Sequence, residues 1–128
     1  MSLIFPDELR FRDGGFHGGT RWFILTHYFR VVTSLGTCTI PTGFHTDGAS
    51  IPRVFHNIIG PTGPGWFEAG VLHDYLYSRH SDEHFKTTRK QADDLFLEVM
   101  FNIGVPWYLR NTIWAAVRSA GWRSWKKR

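Results

Sequence analysis

The hydrophobic pattern of the chain changes period near residue 48, and no other feature constrains the fold as strongly. Up to about Gly43, "RWFILTHYFRVV" and "TCTIPTGF" are rich in aromatic and β-branched residues, with glycines and Ser34-Leu35-Gly36 as punctuation. Such side chains suit a pleated, half-buried surface, so this part is expected to form a small antiparallel sheet. "DGGFHGG", residues 13–19, reads as a turn or loop, and "SLG" as a hairpin connection. Beyond residue 48 the spacing becomes helical. Ala92, Leu95, Phe96, Val99, Met100 and Ile103 recur at three- and four-residue intervals, the apolar stripe of a helix lying on a core. Thr88 with Gln91 offers a capping box at its start, and Gly104 a stop. Pro106 opens a further helix whose stripe, Leu109, Ile113, Ala116, Val117 and Ala120, ends at Gly121.

Two more helices are expected upstream. "SIPRVFHNIIG" has Ser50 as cap, Pro52 in the first turn and Gly60 at the stop, and the irregular "GPTGPG" leads from it into a long helix over residues 66–79. The predicted fold is α+β: an N-terminal antiparallel β-sheet packed on three C-terminal α-helices. It forms one domain over 1–128, with 1–48 mainly β, 49–121 mainly helical and 122–128 a basic, Trp-containing tail.

Composition narrows the function classes. Hydrophobic residues make up 42% and charged residues 20%. No apolar run approaches the ~20 residues of a membrane span, so a soluble globular protein is expected. The first residues, "MSLIFPDELRFRDGG", lack the basic start and apolar stretch of an export signal, which predicts synthesis and folding in a cytoplasm. Cys38 is the sole cysteine, so a metal ion would have to be held by oxygen and imidazole. The net charge of +4 is concentrated in "RSAGWRSWKKR", residues 118–128, which holds five Lys or Arg and no acid. Subtracting these five from +4 leaves −1 for the rest. Nucleic acid is therefore not the expected partner. The tail reads either as a solvated end or as a docking surface for an acidic partner, with Trp122 and Trp125 among its cations.

The chemistry-bearing residues cluster on two helices. In "AGVLHDYLYSRH", His73 and Tyr77 are four apart and share a helix face, while Asp74 is turned away by about 100°. On the next helix Asp93 lies at the margin of the apolar stripe and Asp94 nearer solvent. Antiparallel packing of the two helices would bring Asp93 opposite His73, fixing the imidazole tautomer and leaving its other nitrogen to take a proton from water. Asp74 would then be available to a metal through hard oxygen chemistry. The same residues equally suit a satisfied polar cluster that locks two helices in register, with Arg89 in a plain ion pair to Asp93. In "GFHTDGASIPR", His45 and Asp47 alternate along an extended segment and could add metal ligands or a base. Arg53 suits an anion or the surface. His80 and His84 have metal-binding spacing, but Ser81 stands where a zinc-protease helix needs glutamate, so that stretch reads as a solvated loop.

"PTGFHTDGASIPR", "AGVLHDYLY", "TRKQADDLF" and "VRSAGW" together are similar to a family of small phage and prophage proteins, domain of unknown function 1353. That resemblance implies a virion-associated or infection-related role, in or near the tail, with other virion proteins as partners. A more distant resemblance is chemically sharper. A helix with His-Asp and a tyrosine three residues after the aspartate, followed by a helix with Asp after Ala, resembles secreted and viral-capsid phospholipases A2. It implies His73 as the base, Asp74 as a calcium ligand, Asp93 as the group orienting His73, and Tyr77 as a supporting hydrogen-bond donor. The characteristic calcium loop and the disulfides of that family are absent here.

Two function readings follow. One is a hydrolase, metal-assisted by calcium or zinc, acting on lipid or another cell-envelope substrate. The other is a non-enzymatic tail or assembly component in which His73, Asp93 and Tyr77 form a buried brace and Trp107, Trp114, Trp122 and Trp125 serve an interface.

Overall fold

The computed structural model describes residues 4–46 and 65–127. The helix expected over residues 50–60, its residues Ser50 and Arg53, the preceding Asp47 and the "GPTGPG" loop lie outside them. Among the described residues, five strands come first: β1 (Phe11–His17), β2 (Thr20–Leu25), β3 (Phe29–Thr33), β4 (Gly36–Ile40) and β5 (His45–Thr46). Three described helices follow: α1 (Trp66–Tyr77), α2 (Arg89–Asn102) and α3 (Trp107–Ala120), with short 3-10 turns at Arg79–Glu83 and Gly121–Arg123. The architecture is α+β, as the change of period predicts.

The strands form two antiparallel sheets where the sequence suggests one. β1, β2 and β5 make the first, in that order, and the β3–β4 hairpin makes the second. The aromatic run divides at Thr26–Tyr28, where the chain bends and the His27 ring bonds the Tyr28 carbonyl at 2.8 Å. "DGGFHGG" also departs from expectation, since five of its residues belong to β1. Its ladder slips between Asp13 and Gly15, a bulge that Gly15 accommodates at φ 85°. The Asp13 carboxylate accepts the Gly15 amide there at 2.8 Å. A bulge absorbs one residue without ending the pairing, so glycines that read as a turn sit inside a strand.

Alternation along the hairpin puts Phe29, Val31, Cys38 and Ile40 into the core. Burial raises the Cys38 thiol to about 12, which leaves it inert. Ser34 in the hairpin turn donates its amide to Glu98 of α2 at 2.9 Å, tying the second sheet to the helices. Phe11, Phe23 and Phe67 stack at 5.0–5.5 Å and attach the first sheet to the start of α1. α1 is buried on almost every side: Val71, Leu72, Tyr75 and Leu76 are wholly enclosed, each worth about 1.5–3 kcal/mol of burial for its aliphatic or aromatic body. α2 lies between α1 and α3 and touches β3. The capping box at Thr88 and Gln91 is formed in both directions. Among the described residues, no helix is long and apolar enough to cross a membrane.

α1 stops at Tyr77, two residues short of the expected end, because the C-terminal tail is built onto it. The Lys126 amide donates to the Tyr77 carbonyl at 2.8 Å. Its ammonium donates to the Ser78 carbonyl at 2.8 Å and Ser81 Oγ at 3.0 Å, beside Asp82 at 2.8 Å. Trp125 packs edge-on to Tyr77 at 5.0 Å. A cation on the orphan carbonyls of a helix end is favourable, which corrects the reading of a solvated end for Trp125 and Lys126, while Trp122, Arg123, Ser124 and Lys127 are exposed. Truncation after Arg123 is expected to lower stability by about 1–3 kcal/mol, read by urea unfolding. A merely frayed tail would leave the midpoint unmoved.

Candidate functional site

Helical spacing places His73 and Tyr77 on one face of α1, their rings 4.2 Å apart. α2 contributes Asp93, fully buried, and Phe96, whose ring stacks on the imidazole at 4.6 Å. His73 is 2% exposed. Its Nε2 lies 2.9 Å from Asp93 Oδ1, and the Tyr77 hydroxyl donates to the same oxygen at 2.6 Å. The expected contact between the two helices is therefore made.

The other carboxylate oxygen faces cations. Arg118 of α3 donates from Nη1 to Asp93 Oδ2 at 2.8 Å, and Arg89 Nη1 is 3.6 Å from that oxygen. Arg89 is more than an intrahelical partner, since it also donates to the carbonyls of Val117 and Arg118 at 3.2 Å, holding the last turn of α3. Asp93 thus gathers donors or charge from all three helices. Burial alone would raise its carboxyl, but the hydrogen bonds from His73, Tyr77 and Arg118 outweigh that and hold it below the usual carboxylate range. Burial and the bond to Asp93 push the Tyr77 phenol upward, so it stays a donor.

These contacts decide the tautomer. An ionised carboxylate only accepts, so Nε2 of His73 carries the proton and Nδ1 is left as an acceptor. Nδ1 is buried and has no hydrogen-bond partner among the described residues. An orphaned polar atom of this kind is costly in a purely structural cluster and is the main feature to be explained.

Gly121 completes the packing, and sequence reasoning treats it only as a helix stop. Its φ of −63° is ordinary, but a Cβ there would collide with the Tyr77 hydroxyl and lie 3.2 Å from Arg89 Nη1. Gly121→Ala is expected to displace both groups and cost about 1–3 kcal/mol, measured as a lowered thermal midpoint. Arg118 is the second omission, since sequence reasoning places it only in the basic run 118–128, read as a solvated end or a docking surface. Both lie in "VRSAGW", three residues apart, but that stretch carries no signal of what they touch.

Of the other expected residues, Asp74 and His45 are not drawn into this centre. Asp74 is half-buried, away from the His73 face. His45 stands on β5 in a separate cleft with His17 and His80. Asp47, Ser50 and Arg53 lie outside the described residues. Among the described residues, no three of His, Cys, Asp and Glu are grouped as a metal ion requires, so the calcium or zinc site has no described frame. Asp94 is only half-exposed, accepting from Lys90 at 2.6 Å and from the Trp114 indole at 3.0 Å. Trp114 and Trp125 are thereby committed within the fold, while Trp107 and Trp122 are exposed.

Fold and centre define a class: an α+β protein whose three helices converge on one buried carboxylate, shared by histidine, tyrosine and arginine. The family model described as Protein of unknown function (DUF1353) matches residues 23–117, and the chain belongs to that family. The match takes in His73, Tyr77, Arg89 and Asp93 and ends one residue before Arg118. The uncharacterized protein y4jT of Sinorhizobium fredii is 38% identical over 78 residues, 59% of this chain and 22% of that protein. The chain thus spans about a fifth of the length of that relative. No solved structure matches the chain.

Proposed function

We propose that the chain is a hydrolase in which His73 is the general base. The observation carrying this reading is the buried Nδ1 of His73, an acceptor with no hydrogen-bond partner among the described residues, on a ring whose other nitrogen is held by Asp93. In the proposed reaction Nδ1 takes a proton from water as the water oxygen bonds to an ester carbonyl carbon. The tetrahedral adduct then expels the alkoxide, which receives that proton from the imidazole. Asp93 and Tyr77 orient the ring throughout, and no step is routed through a metal. The substrate class is an ester of lipid or cell envelope. The setting is the one the family resemblance implies: a phage or prophage protein, made in a bacterial host and carried in or with the virion tail. The test is release of fatty acid from phospholipid vesicles, or of acyl groups from envelope material, by the purified chain. Absence of both activities would refute the proposal.

One observation favours a second reading, the non-enzymatic brace of a tail or assembly component. Asp93 is wholly enclosed and holds donors from α1 and α3, so the cluster fixes the register of the helices whatever else it does.

A further inference from the structure

We propose that residues 122–127, with Arg79 and Lys86 beside them, form a docking surface for an anionic lipid bilayer. Three exposed side chains carry it: Trp122, Arg123 and Lys127. The Arg123 guanidinium lies 5.5 Å from the centre of the Trp122 ring, so indole and cation are presented together. The surface stands at the Tyr77 end of α1, a 12-residue helix whose other end, at Gly65, is where the chain outside the described residues joins.

The surface is set in advance by its neighbours. Trp125 packs on Tyr77, and the Lys126 ammonium donates to the carbonyls of Leu76 and Ser78. Arg79 Nε donates in turn to the Lys126 carbonyl at 2.9 Å. Lys126 sits at φ 57°, the only non-glycine at positive φ among the described residues. A lysine gains nothing from that conformation, so it is the contacts that hold it. Clamped in this way, the segment presents Trp122, Arg123 and Lys127 in place, which spares much of the ordering cost of binding.

Charge chooses the partner. Arg79, Lys86, Arg123, Lys126 and Lys127 gather here, and against these cations stand Asp82 and Glu83. Asp82 is taken by Lys126 at 2.8 Å, whose hydrogen bond holds the carboxyl below its usual range, with Lys86 and Arg79 acting in the same sense from nearby. Glu83 lies 3.9 Å from His84. A cationic excess remains, with an indole in its midst. Nucleic acid rewards the number of phosphates neutralised, and the exposed cations here are few. A bilayer rewards this mixture: each cation adds attraction to anionic headgroups, and an amphipathic ring settles at headgroup level beside them. Neither His73 nor Asp93 takes part, so the surface goes with either reading of the buried centre.

The test uses the full chain and vesicles of ether-linked lipids, which hold no ester bond, so binding is read without turnover. Sedimentation compares vesicles of phosphatidylglycerol and phosphatidylcholine in equal parts with vesicles of phosphatidylcholine alone. The chain is expected to bind the anionic vesicles and leave the neutral ones. Raising salt from about 0.1 M to about 1 M should release it, because the screening length falls from about 10 Å to about 3 Å. Arg123→Gln with Lys127→Gln should weaken the partition about thirty-fold, about five-fold for each cation at an anionic surface. Trp122→Ala should weaken it at least about three-fold and leave the salt dependence in place. All three positions are exposed, and an unchanged thermal midpoint checks that the fold is kept. Should the glutamine pair fail to fold, the tryptophan variant and the salt dependence decide. The proposal is overturned if the anionic vesicles are not bound, if the neutral ones are bound as tightly, or if a folded variant binds as the parent does. It is equally overturned if single-stranded DNA at equal phosphate concentration strips the chain from the vesicles. Vesicle binding without hydrolysis of ester lipids would leave this surface standing and remove the hydrolase; hydrolysis without vesicle binding would do the reverse.

Discussion

Asp93→Asn is expected to destabilise the fold by about 3–5 kcal/mol, more than any other conservative change at the centre. Asparagine keeps the shape but not the charge. Arg118 at 2.8 Å and Arg89 at 3.6 Å would face an uncharged amide. One amide position must also present N–H groups to donors, either to the arginines or to the imidazole and phenol. The same substitution should remove part of the acid sensitivity. The Asp93 carboxyl is held below its ordinary 3.8, so its contribution is fully present above that value and is lost as pH falls through the lowered folded one. Asp7, on Arg30, and Asp82, on Lys126, are lowered in the same sense. Comparing parent and variant therefore isolates the share of Asp93. Urea unfolding between about pH 3 and pH 7 should show the two stability curves converging at the acid end. Parallel curves would mean that Asp93 carries no buried charge.

His73→Gln separates the two readings of the site. The glutamine amide can reach roughly where Nε2 stands and still donate to Asp93, but it has no nitrogen able to accept a proton. A hydrolase should lose about 10²–10⁴-fold in kcat with the carboxylate contact kept. Its stability should fall by only about 1 kcal/mol, reflecting lost packing on Phe96. A brace predicts that same small change in stability and has no activity to lose. Retained hydrolysis in the glutamine variant would remove His73 from the role of base and leave the brace as the account of this cluster.

Much of the centre was legible because helical geometry is local. Four-residue spacing fixed His73 and Tyr77 on one face, and the stripe of α2 put Asp93 at its margin. A short connection then made their meeting the natural packing. Arg118 and Gly121 were not legible for the opposite reason. Their roles depend on where α3 ends relative to α1, a long-range placement that no window of sequence contains. A glycine at a helix end reads as a stop whether or not a phenol lies against it. The tail misled in the same way. Its cations read as a solvated charge run, but the carbonyls that Lys126 caps belong to the end of a helix some fifty residues earlier. In the sheets, the bulge at Asp13–Gly15 defeated the usual reading of paired glycines as a turn, because the pairing that sustains β1 is supplied by β2.

The protonation pattern of one ring tests the central claim most directly. Nitrogen-15 NMR of the His73 side chain at neutral pH should find a proton on Nε2, coupled to the Asp93 carboxylate, and a bare, acceptor-type Nδ1. A proton on Nδ1, or the averaged spectrum of an imidazole exchanging freely with solvent, would contradict the account.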